Sequence, residues 1–106
     1  MQKITSYLKL STSSFLEFFV LKMISRRSRS IQEIYDELRS IGFRTPKGSL
    51  YPLLSSFRKR GLVESGFEEF DDGTVQKSYC LTDSGRQHLL ELKRDWKHLN
   101  STVISL

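Results

Sequence analysis

Apolar side chains recur three and four positions apart between residues 15 and 24, a spacing that predicts an amphipathic helix with one broad buried face. The stripe consists of Phe15, Phe18, Phe19, Leu21 and Ile24. Ser13 or Ser14 stands just before it and is expected to cap the helix, because a hydroxyl can accept a hydrogen bond from a free backbone N–H. The polar, basic stretch at 25–30 then ends the pattern.

The next apolar stripe has the same period and predicts a short second helix. It consists of Ile31, Ile34, Tyr35, Leu38 and Ile41. Ser30 and Glu33 form a capping-box pair at its start, because the hydroxyl and the carboxylate each satisfy a free backbone N–H. Gly42 is expected to end the helix in a left-handed conformation.

A third helix is predicted after a polar turn. Its apolar stripe consists of Leu50, Leu53, Leu54 and Phe57. Thr45 is expected to cap this helix, with Pro46 at the first helical position. Pro52 fits a helix only within the first turn, where its missing N–H breaks no hydrogen bond, so the regular helix is expected to start nearer Ser49. Gly61 is expected to end it.

Residues that favour strands dominate 62–70 and 75–81, which predicts two strands joined by the tight turn DDGT. Gly66 is interpreted as a bulge within the first strand. Cys80 is expected to be a half-buried structural residue of the second strand. Thr82 then caps a last helix.

The predicted element order is α-α-α-β-β-α, mainly α with a small β-hairpin. Two short helices joined by a tight connection and followed by a hairpin form a winged helix-turn-helix. Residues 1–81 are therefore predicted to form a winged helix-turn-helix DNA-binding domain. Residues 82–106 are predicted to form a C-terminal dimerisation helix that packs with it as one compact unit.

The net charge of +5 is unevenly distributed along the 106 residues. Residues 1–61 carry twelve Lys and Arg against four acids, or +8, and residues 62–106 carry five against eight, or −3. Residues 44–60 hold five cations and no acid. Such segregation favours a polyanionic partner, although a solvated basic face would have the same composition.

The third helix combines a buried face with a face of hydrogen-bond donors, which is typical of a helix that enters the DNA major groove. Its outward candidates are Lys47, Ser49, Tyr51, Ser55, Ser56 and Lys59. Ammonium groups bind phosphates through charge, and hydroxyls donate to phosphates or base edges. The alternative is a winged-helix protein-interaction module without direct DNA binding, since one fold can serve both purposes.

Apolar residues along the last helix alternate between spacings of three and four, which is the pattern of a heptad seam. The seam consists of Leu89, Leu92, Trp96, Leu99 and Val103. A helix at the end of a small domain has little core left to face, so we expect this seam to form a homodimer interface. The chain's own first helix is the alternative partner for part of it. A dimer would place two recognition helices one DNA turn apart, roughly 34 Å.

The sequence does not indicate catalytic or metal chemistry. His88 and His98 have no Cys or carboxylate arranged around them as ligands, so neither a metal nor a cofactor is predicted. There is no glycine-rich phosphate loop and no Ser-His-Asp arrangement, so no enzyme is predicted. The first ten residues do not resemble a signal peptide, and the most apolar stretch, 15–24, is too short to span a bilayer. We therefore expect a cytoplasmic protein without a membrane partner.

Two motifs resemble the PadR family of bacterial transcriptional regulators. GSLYPLLSSFRKRGLVE at 48–64 is similar to the start of that family's recognition helix and its exit into the wing. KSYCLTDSGRQHL at 77–89 is similar to the segment that precedes the family's dimerisation helix. The resemblance covers most of residues 15–100. It implies a dimeric repressor that binds a palindromic operator in double-stranded DNA through the helix at 46–60 and the wing at 62–81.

The resemblance also implies roles for individual positions. Tyr51 and Pro52 match the DNA-facing start of the family's recognition helix, and Lys77 matches the base of its wing. Together with the cations and hydroxyls of the third helix and its preceding turn, the candidate DNA-binding residues are Arg44, Thr45, Lys47, Ser49, Tyr51, Pro52, Ser55, Ser56, Lys59 and Lys77. The wing tip departs from the family pattern, because it carries acids where many members have Arg or Lys. We therefore do not expect it to enter the minor groove deeply.

Trp96 carries a second implication of the resemblance. In some PadR-type regulators the dimer leaves an apolar cavity that holds a flat aromatic effector. Trp96 lies on the seam and could stack on a small aromatic effector of this kind. A tryptophan that is simply packed at an interface is the simpler interpretation.

Overall fold

Four α-helices and a three-stranded antiparallel sheet form the part of the chain that the computed structural model describes, residues 12–106. The helices are α1 at Thr12–Arg26, α2 at Ile31–Ser40, α3 at Leu50–Lys59 and α4 at Asp83–Ile104. The strands are β1 at Arg29–Ser30, β2 at Val63–Glu69 and β3 at Val75–Leu81, in the spatial order β1-β3-β2. The predicted winged helix-turn-helix is confirmed, with one further strand. Residues 1–11 of the predicted DNA-binding domain lie outside the described residues.

Side-chain caps fix the start of two helices, as the sequence predicts. The hydroxyl of Ser30 accepts a hydrogen bond from the backbone N–H of Glu33 at 3.2 Å, and the Glu33 carboxylate accepts one from the Ser30 N–H at 3.1 Å. Oγ1 of Thr82 accepts from the N–H of Gly85 at 3.0 Å at the start of α4. Gly42 has a φ of 87° just after α2. These local signals set the length of α2 and the starting point of α4.

The connection from α2 to α3 ends in a 3₁₀ turn at Lys47–Ser49, and α3 begins at Leu50. Pro52 therefore lies in the first turn, as predicted, where its missing N–H interrupts no intrahelical hydrogen bond. The predicted cap by Thr45 is wrong. Pro46 occupies the position before the 3₁₀ turn, and no side chain caps that turn.

Three other local predictions are wrong. Helix α1 already contains residues 13 and 14, so neither Ser13 nor Ser14 stands before it as a cap. The pairing of β2 with β3 continues without a break through Gly66 and Ser78, so Gly66 is not a bulge. Cys80 is exposed instead of half buried, because its side chain points to the face of β3 opposite to that of Leu81.

Strand β1 lies in the basic stretch that the sequence pattern interprets only as a break. Arg29 pairs with Tyr79 and Ser30 pairs with Ser78, so this stretch forms an edge of the sheet. The Arg29 side chain is buried and forms an ion pair with Glu37 of α2. A strand of two residues is too short to show alternation, and for this reason the pattern does not reveal it.

The core is built around α3. Three of its side chains, those of Leu50, Leu54 and Phe57, are completely buried. The buried side chains that surround them come from every other helix, from the two long strands and from the turn before β2: Val20, Leu21, Met23, Ile24, Ile31, Ile34, Leu38, Leu62, Val63, Tyr79, Leu81 and Leu89. Full burial of one such side chain contributes roughly 1.5–3 kcal/mol. Three of them at helical spacing therefore hold α3 in one rotational orientation.

Gly85 marks a very close approach between α4 and the rest of the fold. A Cβ atom on this residue would lie 2.0 Å from the backbone oxygen of Leu62 and 2.8 Å from Cδ1 of Leu81. A backbone atom cannot move aside as the end of a flexible side chain can. The first turn of α4 therefore reaches its place against the sheet only with glycine at position 85.

We expect Gly85→Ala to destabilise the fold by about 3 kcal/mol, because the added methyl group pushes α4 away from the sheet. Thermal and chemical unfolding followed by circular dichroism measure the effect. Gly66→Ala is the matched control, since a Cβ atom there meets nothing within 4 Å. The control should change the free energy of unfolding by less than about 1 kcal/mol. Equal stabilities of the two variants would contradict the close approach.

Candidate nucleic-acid interface

The outer side of α3 carries polar and cationic groups opposite its buried stripe. Pro52, Ser55 and Lys59 follow each other three and four positions apart, and all three are exposed. Tyr51 lies on the flank of α3 nearest the wing and is 55% exposed. Because the buried stripe fixes the rotation of α3, these side chains point away from the core together. This is the arrangement that the sequence predicts.

A groove of about 420 Å³ separates α3 from the wing. Three of the predicted site residues, Lys47, Tyr51 and Lys77, meet along it although they come from the turn, the helix and the strand. The remaining lining residues are Ser30, Ile31, Gln32, Gln76 and Tyr79. The groove therefore combines two ammonium groups with amides and hydroxyls, which is a suitable surface for a phosphate backbone.

Two contacts orient the cations of this groove. The ammonium of Lys47 donates to Oε1 of Gln32 in the first turn of α2. The ammonium of Lys77 lies 5.9 Å from the centre of the Tyr79 ring, within the range of a cation–π contact. Burial raises the pKa of Tyr79, and the positive charge of Arg58 partly offsets this increase. The Tyr79 hydroxyl therefore stays protonated at neutral pH.

Gln32, Gln76 and Arg58 are absent from the set of site residues derived from the sequence. The two glutamines lie in elements whose patterns indicate only a helix start and a strand. Arg58 lies close enough to Tyr79 for its charge to act on the phenol, which places it on the same flank of α3 as Tyr51. Helical spacing along α3 could have identified Arg58, but the presence of both glutamines in one groove depends on tertiary structure.

Arg44 and Thr45 belong to a second groove, of about 450 Å³, between α2 and the connection that leads to α3. Tyr35 and Arg39 of α2 line it with them. The guanidinium of Arg39 lies 5.6 Å from the centre of the Tyr35 ring. The predicted residues Ser49 and Ser56 are exposed but line neither groove. The candidate site thus consists of the outward face of α3, the groove beside the wing, and a second groove along α2 and the connection before α3.

The wing has a charge opposite to that of α3. Between Gly61 and Gln76 the chain holds five acids and no Lys or Arg. Oδ1 of Asp72 accepts hydrogen bonds from the backbone N–H and the hydroxyl of Thr74, and these bonds lower the pKa of Asp72. The apolar side chains of Phe67 and Val75 are 78% and 66% exposed. The wing tip is therefore an anionic surface with apolar groups, not a cationic one.

One carboxylate joins the end of α3 to the helices on either side of it. Oε1 of Glu17 in α1 lies 3.3 Å from the guanidinium of Arg60 and 2.8 Å from Nε2 of His88 in α4. All three side chains are partly screened from solvent. The position of α3 is thus linked electrostatically to that of the long C-terminal helix.

The predicted seam on α4 is divided between the chain's own core and solvent. Leu89 is only 4% exposed and Leu92 packs against the core, so both contact residues of their own chain. Trp96 lies against Phe15 and Phe18 of α1, with ring centres 4.6 Å and 5.7 Å apart. Leu99 is half buried, and Val103 is 58% exposed. The first part of the seam therefore packs on α1, and the end of the seam remains accessible.

Two negative findings apply to residues 12–106. No helix there is both long and apolar enough to cross a membrane. No three side chains of His, Cys, Asp or Glu in this part of the chain lie close enough together to hold a metal ion. His88 contacts Glu17 and Arg60 instead.

The chain matches known proteins along most of its length. Residues 20–91 match the model of the transcriptional regulator PadR-like family. The crystal structure of a PadR-like transcriptional regulator from Bacillus cereus is 32% identical, with a TM-score of 0.81 over 88% of this chain and 91% of that chain. A Streptococcus transcriptional regulator is 29% identical, with a TM-score of 0.82 over 88% of this chain and 92% of its own.

A third relative has been solved on DNA. Bacillus subtilis PadR in complex with operator DNA is 21% identical, with a TM-score of 0.63 over 73% of this chain and 44% of that chain. At this identity the likeness is one of fold. The family match and the 32% identity to the Bacillus cereus regulator show family membership as well as a shared fold. The chain belongs to the PadR-like family of transcriptional regulators, a non-enzymatic family, and membership in it implies DNA binding.

Proposed function

We propose that this protein is a dimeric repressor that binds a palindromic operator through the helix at 46–60 and the wing at 62–81. The observation that carries the proposal is the orientation of α3, whose buried stripe turns Ser55 and Lys59 outward. With α3 in the major groove, the hydroxyls of Tyr51 and Ser55 face base edges or phosphates. Such a regulator works on the chromosome, so we place it in the cytoplasm.

The cations around α3 supply the sequence-independent part of the affinity. Lys47 and Lys77 flank the groove beside the wing, and Arg44 lies in the groove between α2 and the connection before α3. Lys59 extends the charged surface along the helix. Each ammonium or guanidinium that neutralises a phosphate releases a counterion, so affinity falls steeply with salt.

The acids of the wing limit how the hairpin meets DNA. Glu68, Glu69, Asp71 and Asp72 would face phosphates if the tip entered the minor groove, and the repulsion would oppose entry. Lys77 pairs with Phe67 and so lies near the middle of the hairpin, not at its base as the family resemblance implies, but its positive charge has no such conflict. We therefore propose that the wing contacts DNA through Lys77, on the side that faces the groove beside α3, and that its acidic tip stays outside the minor groove.

A second copy of the chain would complete the regulator. Val103 and Ile104 at the end of α4, together with Leu106 just beyond it, form an exposed apolar surface that supports pairing. A two-fold pair would present two α3 helices to successive major-groove faces roughly 34 Å apart. In this proposal α4 sets the separation of the two helices, and the Glu17–Arg60–His88 contacts transmit the position of α4 to α3.

The wing supports a second candidate function, that of a module which binds a protein. Phe67 and Val75 are exposed apolar groups on an anionic hairpin, which suits a basic protein segment better than DNA. Capture of a protein partner that survives nuclease and high salt, and that is lost in Phe67→Ser, would favour this function. Capture that disappears after nuclease treatment would favour DNA binding.

We expect binding to duplex DNA to show a steep negative slope of log affinity against log salt concentration. Lys47→Ala and Lys59→Ala should each reduce the magnitude of this slope by about one, because each removes one phosphate contact. Fluorescence anisotropy across a salt series measures the slope. Arg94→Ala on α4 is the control and should leave it unchanged. Absence of binding at low salt, or equal slopes in all four proteins, would contradict the proposed interface.

We expect Val103→Glu to shift the protein from dimer to monomer, because it places a charge in the accessible part of the seam. Sedimentation velocity at several protein concentrations measures the change. Ser101→Glu is the control, since residue 101 is exposed on the opposite side of α4 from the seam. A wild-type chain that stays monomeric at high concentration would contradict the dimer, and so would equal dimerisation of both variants.

A further inference from the structure

Lys47 is held in the groove beside the wing by a side chain from another helix. It lies in the 3₁₀ turn before α3, and its ammonium donates a hydrogen bond to Oε1 of Gln32, 15 residues earlier in the first turn of α2. Both residues line the groove together with Tyr51 and Lys77. The contact therefore connects the turn before α3 to the start of α2, on the side that faces the wing.

The neighbouring Asp36 determines the orientation of the Gln32 amide. Nε2 of Gln32 donates to Oδ1 of Asp36 at 2.9 Å, one helical turn further along α2. A side-chain amide has a donor end and an acceptor end, and the reverse orientation would place its oxygen against a carboxylate and its N–H groups against an ammonium. Both contacts would be repulsive. The hydrogen bonds therefore run in one favourable direction, from Lys47 through Gln32 to Asp36.

The partner of Lys47 is neutral, which distinguishes Lys47 from cations that are paired with acids. Arg27, Arg29 and Arg60 each form an ion pair with a glutamate, and a phosphate that approached one of them would compete with that carboxylate. The amide oxygen of Gln32 occupies one of the three donors of the Lys47 ammonium and leaves its full charge. The other donors remain available for a phosphate. Lys47 is thus restrained without being neutralised.

We propose that Gln32 is a positioning residue that holds Lys47 ready for a phosphate of the DNA backbone. This role rests on the proposed DNA-binding function and adds to it a residue that need not touch DNA. A lysine loses side-chain freedom when its ammonium is fixed on a phosphate, and this loss weakens binding. The Gln32 contact imposes part of the loss when the protein folds, so less remains to oppose binding. Because the turn that contains Lys47 leads directly into α3, a fixed ammonium also helps to set the position of α3 on the duplex.

We expect Gln32→Ala to weaken binding to duplex DNA by about 3- to 10-fold, because one long side chain then stays free until it binds. The slope of log affinity against log salt concentration should stay as in the wild type, because the number of cations that contact phosphate does not change. Fluorescence anisotropy across a salt series measures both quantities. Gln32 is exposed, so its replacement leaves the core intact.

A double-mutant cycle separates positioning from a general effect on the fold. If Gln32 acts through Lys47, Gln32→Ala should have no further effect on affinity once Lys47→Ala is present. Gln76→Ala is the matched control, because Gln76 lines the same groove but donates a hydrogen bond to Thr74 instead. Any effect of Gln76→Ala on affinity should be the same with Lys47 as without it.

A measurement without DNA tests the contact itself. In the free protein, the two protons on Cε of a restrained lysine have distinct NMR chemical shifts, whereas rapid rotation of a free side chain averages them. We expect distinct shifts for Lys47 in the wild type and in Gln76→Ala. In Gln32→Ala the two shifts should merge.

The outcomes separate the positioning role from the function on which it rests. A wild-type chain that binds no DNA overturns both. A chain that binds DNA but loses the same affinity on Gln32→Ala with Lys47 as without it overturns the positioning role alone, because Gln32 would then act on DNA directly or through the fold. Unchanged affinity of Gln32→Ala, or merged Lys47 shifts in the wild type, overturns that role as well.

Discussion

The rotational orientation of α3 depends on the burial of Leu50, Leu54 and Phe57, and the rest of the site depends on that orientation. A rotation of α3 by one residue would take these side chains out of the core and would turn polar groups into it. The hydrophobic effect thus decides which side chains face outward, although none of the buried residues belongs to the candidate site. The cations and hydroxyls need only occupy the remaining positions of the helix.

The sequence predicts those features that depend on local structure. Three such features are the capping box at Ser30, the φ of Gly42 and the place of Pro52 in the first turn. Each involves residues within one or two helical turns, so the sequence pattern alone reveals it. The side chains on the outer face of α3 follow from helical period alone. For the same reason the main elements of the winged helix-turn-helix could be predicted before any coordinates.

Features that depend on long-range packing could not be predicted. Strand β1 has two residues and exists because β3 offers a free edge to it. The meeting of Lys47, Tyr51 and Lys77 requires the wing to fold back beside α3. The heptad pattern on α4 cannot distinguish a partner chain from the chain's own α1, and Leu89, Leu92 and Trp96 largely contact their own chain. The residue type of Thr45 favours a cap, but the 3₁₀ turn places Pro46 at the capping position.

The opposite charges of α3 and the wing have a consequence for how the molecule approaches a duplex. Five acids on the hairpin beside a helix without any give the protein a strong electric dipole across its binding face. In the electric field of a polyanion, such a molecule rotates before contact, so that α3 faces the duplex and the hairpin points away from it. In the proposed mode of binding, collisions in the wrong orientation are repelled early, and the acids of the wing raise the proportion of encounters in which α3 meets the duplex first.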